Sequence, residues 1–276
     1  IRDALSIKKV LVESNPEAII HFAGLKSPSE SFITPNEYYD VNVTGTINLL
    51  TAMDEISCKK IIFSSSATIY GAPHYSPCDE KHPIAPLSPY GRSKDFAEKI
   101  IQDWSQNSIS AGIALRYFNP VGAHYSGELG EEIVDRPNNL LPYICAVALG
   151  KKPYLPIFGD DFKTHDGTGE RDFIHVMDLA RAHLQALKYA TVNSGFEAFN
   201  IGTGNKISVL ELVKVCEYFF KRKIKVKFTK RREGDQATVF ADPAKAKELL
   251  GWKATHDIDD VCRDTWNWIS KYPIGY

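Results

Sequence analysis

Three short apolar runs dominate the first half of the chain: Ala18-Ile19-Ile20-His21-Phe22, Lys59-Lys60-Ile61-Ile62-Phe63-Ser64-Ser65-Ser66 and Gly112-Ile113-Ala114-Leu115-Arg116-Tyr117. Strands that are apolar nearly throughout are covered on both faces, as in a parallel sheet flanked by helices. Helical character fills the intervals, over Asn42 to Ile56 and again after Ser88. The expectation is an α/β fold with a parallel sheet and helices on both faces. From about Gly122 the pattern changes to Gly, Pro, Asn and Asp clusters between short elements, where a smaller lobe is expected. There is no internal repeat and no low-complexity tract.

With 276 residues, 43% of them hydrophobic and 24% charged, the chain has the means to bury a sizeable core. A net charge of -1 argues against a dedicated nucleic-acid or membrane binder. No apolar run approaches the roughly 20 residues that cross a bilayer. The five cysteines, Cys58, Cys78, Cys145, Cys216 and Cys262, are widely spaced and form no C-x-x-C pair. They read as reduced thiols of a cytoplasmic protein. The eight histidines show no metal-ligand spacing, so no metal is expected.

The chemistry concentrates in one trio. Ser88 as N-cap and Pro89 at the first helical position mark a helix start, and Tyr90 and Lys94, four residues apart, then share a helix face. Ser66 closes the second apolar run, at the strand end where open α/β sheets bind ligands. A phenol with a pKa of roughly 10 is a poor base near neutrality unless a nearby cation favours its anion. Lys94 is expected to supply that charge, and Ser66 to relay a proton from a substrate alcohol to Tyr90. Ala97, Ile100, Ile101 and Trp104 form the stripe that would dock this helix on the sheet.

Ser64 to Gly71 and Ser88 to Lys94 resemble the extended short-chain dehydrogenase/reductase superfamily, and within it most closely the UDP-glucose 4-epimerase family. The likeness extends to His21 to Lys26, Arg116 to His124, Asp166 to Val176 and Arg231 to Asp235. It implies NAD as cofactor, a UDP-sugar as substrate, and a homodimer. Phe22, Ala23, Gly24 and Lys26 match a loop lying along the cofactor, and Ser64, Tyr90, Lys94 and Phe118 match further cofactor contacts. Ser66, Thr68 and Tyr90 match residues at the sugar, Asn119 one at the diphosphate, and Asn139 and Leu140 further substrate contacts. Pro156, Ile157 and Phe158 match the uracil site, while Arg171, Arg232 and Asp235 complete the set with a guanidinium pair suited to phosphate and a carboxylate suited to ribose hydroxyls. Val239, four residues after Asp235, matches a position lining the sugar pocket.

One element that the resemblance implies is not found. A glycine-rich G-x-G-x-x-G turn, which seats a dinucleotide pyrophosphate at a helix N-terminus, does not occur before His21. Ile1-Arg2-Asp3-Ala4-Leu5 resembles the family's stretch just after its adenine-contacting aspartate. The resemblance thus implies an incomplete Rossmann-like doubly wound sheet, lacking a first βαβαβ half-unit of roughly 60 residues, and weak NAD+ binding by residues 1 to 276. Residues 1–121 would be the remainder of the NAD-binding domain and 122–276 mainly a substrate-binding lobe, with some segments returning to the first domain. Two other functions share the trio: UDP-glucuronate decarboxylation, and a catalytically inactive fragment acting as a UDP-sugar binding module or partner subunit. A 4,6-dehydratase would place Asp-Glu where Ala67 and Thr68 stand.

Overall fold

The computed structural model describes residues 1–106, 109–133, 139–232 and 235–275. The first half runs α1 (Ala4–Ser14), β1 (Ile19–His21), α2 (Pro28–Ser31), α3 (Pro35–Tyr39), a π-helical turn (Asp40–Thr44), α4 (Gly45–Glu55), β2 (Lys60–Ser66), a 3-10 turn (Ala67–Tyr70), α5 (Pro89–Gln106), β3 (Ala111–Tyr117) and β4 (Asn119–Val121). The second continues with α6 (Leu140–Ala148), β5 (Leu155–Phe158), β6 (Glu170–Arg171), β7 (Phe173–His175), α7 (Val176–Val192), β8 (Gly195–Ile201), β9 (Ile207–Ser208), α8 (Val209–Phe220), β10 (Val226–Thr229), β11 (Thr238–Val239), α9 (Ala244–Leu250) and α10 (Ile258–Lys271).

Four parallel strands in the order β1-β2-β3-β8 form the main sheet. Alternation along β2 explains why its run is apolar throughout. Ile61 and Phe63 enter a cluster with Leu49, Leu50 and Met53 of α4 and Ala97 and Ile101 of α5. Ile62 points the other way, into a cluster with Leu179, Ala182 and Ala186 of α7. Ile100 and Trp104 pack at the edge of the first cluster, so the expected α5 stripe is the docking face. Both α7 and β8 come from the second half of the chain yet belong to this layer. A separate apolar core joins α6, α8 and α10 to β5, with Ile144, Leu212, Phe220 and Trp268 at its centre.

The helix expected from Asn42 is the later part of a longer one: α3, the π-helical turn and α4 run on without a break from Pro35 to Glu55, with Asn42 inside the π-helical turn. Such turns rotate side chains out of the α-helical register and recur at functional sites. The parallel strands point the same way, bringing Ser66, Tyr117 and Ile201 level at one rim, while β1 ends three residues short of it with His21 opposite Phe63. Among the described residues no helix is long and apolar enough to cross a membrane.

Candidate active site

Helix α5 starts as its sequence dictates. Ser88 Oγ accepts the Gly91 N–H at 3.1 Å, the Ser88 carbonyl accepts that of Arg92 at 2.9 Å, and Pro89 occupies the first turn. Tyr90, Lys94 and Glu98 follow at four-residue intervals along one buried face. Ser66, the last residue of β2, accepts hydrogen bonds from the Thr68 amide (3.2 Å) and the Thr68 hydroxyl (2.9 Å), and its hydroxyl lies near enough to the Tyr90 phenol to favour the phenolate. Ser66, Thr68 and Tyr90 are thus brought together.

The electrostatics divide differently from the expectation. Burial pushes the Tyr90 phenol up, and the group that pulls it back is the nearby Ser66 hydroxyl. Lys94 Nζ lies 6.0 Å from the Tyr90 ring centroid and 4.8 Å from that of Phe63, and it donates to the Ser64 carbonyl at 2.7 Å. Burial draws the Lys94 ammonium down to about 8, opposed by Glu98 one turn further along. Lys94 holds its place by the Ser64 bond, and its positive charge is dispersed toward Phe63 and Glu98 as well as Tyr90.

The loop after β1 is held against this helix by Asn42, which the sequence did not single out. Its Oδ1 accepts the Leu25 N–H at 2.8 Å, while Nδ2 donates to the Leu25 carbonyl (3.0 Å) and to Ser93 Oγ (2.9 Å). A Cβ added at Gly24 would stand 2.9 Å from Asn42 Oδ1 and 3.7 Å from Lys94 Nζ, so only glycine lets this backbone approach so closely. Phe22 is exposed, with its ring 4.7 Å from that of His183. His183 Nδ1 faces the Leu179 carbonyl at 2.9 Å, and its Nε2 meets the Tyr117 hydroxyl at 2.5 Å. Asn42→Ala strands the Leu25 amide and carbonyl and is expected to cost about 1–3 kcal/mol, read as a lower urea midpoint at unchanged slope.

Just after β3, Phe118 is buried with Ile69, Tyr70, Cys78 and Ala241, and Val239 packs against this cluster. Asp172, fully buried between β6 and β7, frames the wall. Its carboxylate accepts from Thr203 N (2.8 Å), Thr203 Oγ1 (2.7 Å), Gly204 N (3.0 Å) and Ala241 N (3.1 Å). Its backbone accepts from Asn119 N at 3.0 Å and donates to the Val239 carbonyl at 3.2 Å. A Cβ at Gly202 would fall 2.5 Å from Asp172 Oδ2, which requires glycine there.

At the far end, the Arg232 guanidinium stacks 3.7 Å from the Phe158 ring centroid. Arg171 is held by burial below the usual arginine range, with Asp235 as its compensating charge, and Asp235 N donates to the Arg232 carbonyl at 3.2 Å. Strand β5 alternates, so Pro156 and Phe158 are half-buried while the Ile157 side chain lies in the apolar core at 2% exposure. Only the Ile157 backbone is available to a ligand. Asn139 and Lys26 meet through Glu131, at 3.4 Å and 3.6 Å respectively, and Leu140 opens α6 beside them. Glu233 and Gly234, between Arg232 and Asp235, and Pro137 and Asn138, before Asn139, lie outside the described residues.

Comparison with known proteins agrees with this geometry. The family model described as GDP-mannose 4,6 dehydratase matches residues 1–265. UDP-glucose 4-epimerase 2 of Oryza sativa subsp. japonica is 49% identical over 279 residues, covering 100% of this chain and 68% of the relative. The crystal structure of the Bifidobacterium longum UDP-glucose 4-epimerase, in complex with NAD+ and UDP, superposes with a TM-score of 0.94 at 44% identity, covering 100% of this chain and 82% of that one. That of the Stenotrophomonas maltophila enzyme, with bound NAD and formylated UDP-arabinopyranose, gives 0.95 at 42% identity, covering 99% and 81%. With its Ser66, Tyr90 and Lys94 constellation in place on the matching fold, the chain belongs to the UDP-glucose 4-epimerase family.

Proposed function

We propose that this chain catalyses NAD-dependent epimerisation of UDP-glucose and UDP-galactose at carbon 4 through a 4-keto sugar. The observation that carries it is Tyr90, buried at the start of α5 with the Ser66 hydroxyl acting on its phenol from the end of β2, and Lys94 fixed one helical turn away by the Ser64 carbonyl. NAD+, when bound, supplies the acceptor and returning donor of hydride. The residues fit such a group: the close backbone approach at Gly24, the half-buried Ser64 and the Lys94 ammonium stand side by side. With Tyr90 as the phenolate, Ser66 receives the proton of the sugar 4-hydroxyl and passes its own to Tyr90, or Tyr90 takes it directly, and the neutral phenol returns the proton when the ketone is reduced. Inversion then requires the keto sugar to turn over before reduction, so affinity must come from the UDP end. Phe158 and Arg232 supply a stacked platform there, with Arg171, Asp235 and Asn119 for the diphosphate and ribose. Ala67 and Thr68, beside Ser66, offer no titratable acid or base for dehydration across carbons 5 and 6. The same reading takes the enzyme as a cytoplasmic homodimer, with residues 1–121 serving the cofactor and 122–276 mainly the substrate, some segments of the latter returning to the first domain. Coupled conversion of UDP-galactose to UDP-glucose by the holoenzyme tests the assignment, and no conversion would refute it.

Substrate breadth turns on Val239. It is half-buried on β11, in register with Arg171 and packed against the cluster that holds Phe118; valine lacks the roughly one-ring volume that a tyrosine would fill, which in this reading leaves room beside carbon 2 of the sugar. The complete activity is proposed to include UDP-N-acetylglucosamine and UDP-N-acetylgalactosamine. Val239→Tyr is expected to remove activity on the N-acetylated pair, at an overpacking cost of about 1–3 kcal/mol, and to spare UDP-galactose. Equal loss on both pairs would contradict this.

A further inference from the structure

Eight of the twelve residues from Lys221 to Arg232 are lysine or arginine and none is acidic, in a chain whose net charge is -1. The run leaves the end of α8, forms β10, and continues to Arg232. Lys221, Arg222, Lys223, Lys225, Lys227 and Lys230 are all exposed. Carboxylates meet the run at two points, Glu217 with Lys223 (3.1 Å) and Asp161 with Arg231 (2.6 Å). Among the described residues no ion pair holds Lys225, Lys227 or Lys230, although Lys227 Nζ lies 5.1 Å over the Tyr154 ring.

The run has a direction. Strand β10 lies parallel to β5, pairing Val226 with Leu155 through to Thr229 with Phe158, and three residues on Arg232 covers the Phe158 ring. Lys225 and Lys227 stand on one face of the strand, about 7 Å apart, so their charges form a row beside the strand that ends at the uracil platform. The strip is one strand wide and terminates on an arginine of the site, which suits a small anion moving along it more than a polyanion lying across it.

We propose that the row Lys225, Lys227 and Lys230 is an electrostatic guide that draws the anionic nucleoside diphosphate end of the substrate toward Arg232 and Phe158. This rests on the epimerase assignment for the identity of the nucleotide. Lys230, Lys227 and Lys225 precede Arg232 by two, five and seven residues, roughly 7, 16 and 23 Å by strand length, so the outer two lie beyond the Debye length of about 8 Å at physiological salt and all three lie within that of about 30 Å at 0.01 M. Steering of this kind raises association rates and fades with salt.

The test is stopped-flow association of a fluorescent N-methylanthraniloyl derivative of UDP with the holoenzyme, for wild type and for Lys225→Gln, Lys227→Gln, Lys230→Gln combined. At about 0.01 M salt the triple variant is expected to associate roughly 3- to 10-fold more slowly. At about 1 M, where the Debye length is about 3 Å, the two rates should converge. The dissociation rate, kcat and the thermal midpoint should not change, since the three side chains are exposed and none is placed in the binding machinery. Equal association rates at low salt would overturn the proposal, as would a slowing that persists at high salt. Unchanged association with lost retention on heparin would assign the strip to a polyanionic partner instead. UDP association is read without turnover, so intact steering in a protein that fails to epimerise would remove the catalytic assignment alone.

Discussion

Tyr90→Phe is expected to lower turnover on UDP-galactose by roughly two orders of magnitude or more, the scale on which a positioned acid-base group acts. The substitution removes one oxygen from a buried ring that is 8% exposed and packs edge-to-face with Tyr38 at 6.4 Å, so the fold should persist. KM should change little, because UDP-end contacts provide most of the affinity. Ser66→Ala should act in the same direction with a smaller effect, since it removes the hydroxyl that offsets the burial of the phenol. Steady-state assays at matched NAD saturation decide the matter, and a Tyr90→Phe enzyme with near-normal kcat would exclude Tyr90 as the acid-base group.

Glu98→Ala should destabilise the protein by about 3–5 kcal/mol, the usual cost of leaving one member of a buried ion pair alone. Glu98 lies one turn beyond Lys94 on the same face of α5 and receives Arg116 Nη2 at 2.7 Å and Nε at 3.1 Å, along with the Ser65 hydroxyl. Arg116 Nη1 reaches the Tyr70 hydroxyl at 3.0 Å, which donates to Asn200 Oδ1 at 2.6 Å. The network therefore joins α5, β2, β3 and β8 behind the trio and fixes the height of Tyr90 and Lys94 above the sheet. With Arg116 only 7% exposed, its charge has no route to water once Glu98 is gone. Thermal unfolding should show a midpoint lower by roughly 10 °C. Glu98→Leu combined with Arg116→Met should recover most of that loss, because a well-packed apolar pair replaces a buried ionic one at little net cost. A midpoint within a degree of wild type for Glu98→Ala would show that the pair does not anchor the helix.

The helix start at Ser88 and the strand ending in Ser66 were legible because local rules decide them: a capping hydroxyl, a proline at the first turn, and an apolar run with a polar end. The parallel sheet followed from runs apolar on both faces. What escaped was set by contacts distant in sequence. Asn42 bonds Ser93, 51 positions away, and is aimed there by a π-helical turn that the helical pattern of the segment does not distinguish from an ordinary α-helical turn. Tyr117 meets His183 across 66 positions, and Asp172 is defined by Thr203, Gly204 and Ala241. Glu98 did carry a signal, its place four residues after Lys94, but the partner that makes it structural lies on another strand. Ile157 shows the converse: a segment matched as a whole to the uracil site divides by strand alternation into two half-buried side chains and one committed to the core.

The most direct test of the central claim is proton NMR of UDP-galactose incubated with the holoenzyme and NAD+ in D2O. If the hydrogen at carbon 4 leaves as hydride and returns to the opposite face while Tyr90 and Ser66 handle only the hydroxyl proton, UDP-glucose must form with no deuterium at carbon 4. Deuterium at that carbon, or no UDP-glucose at all, would contradict it.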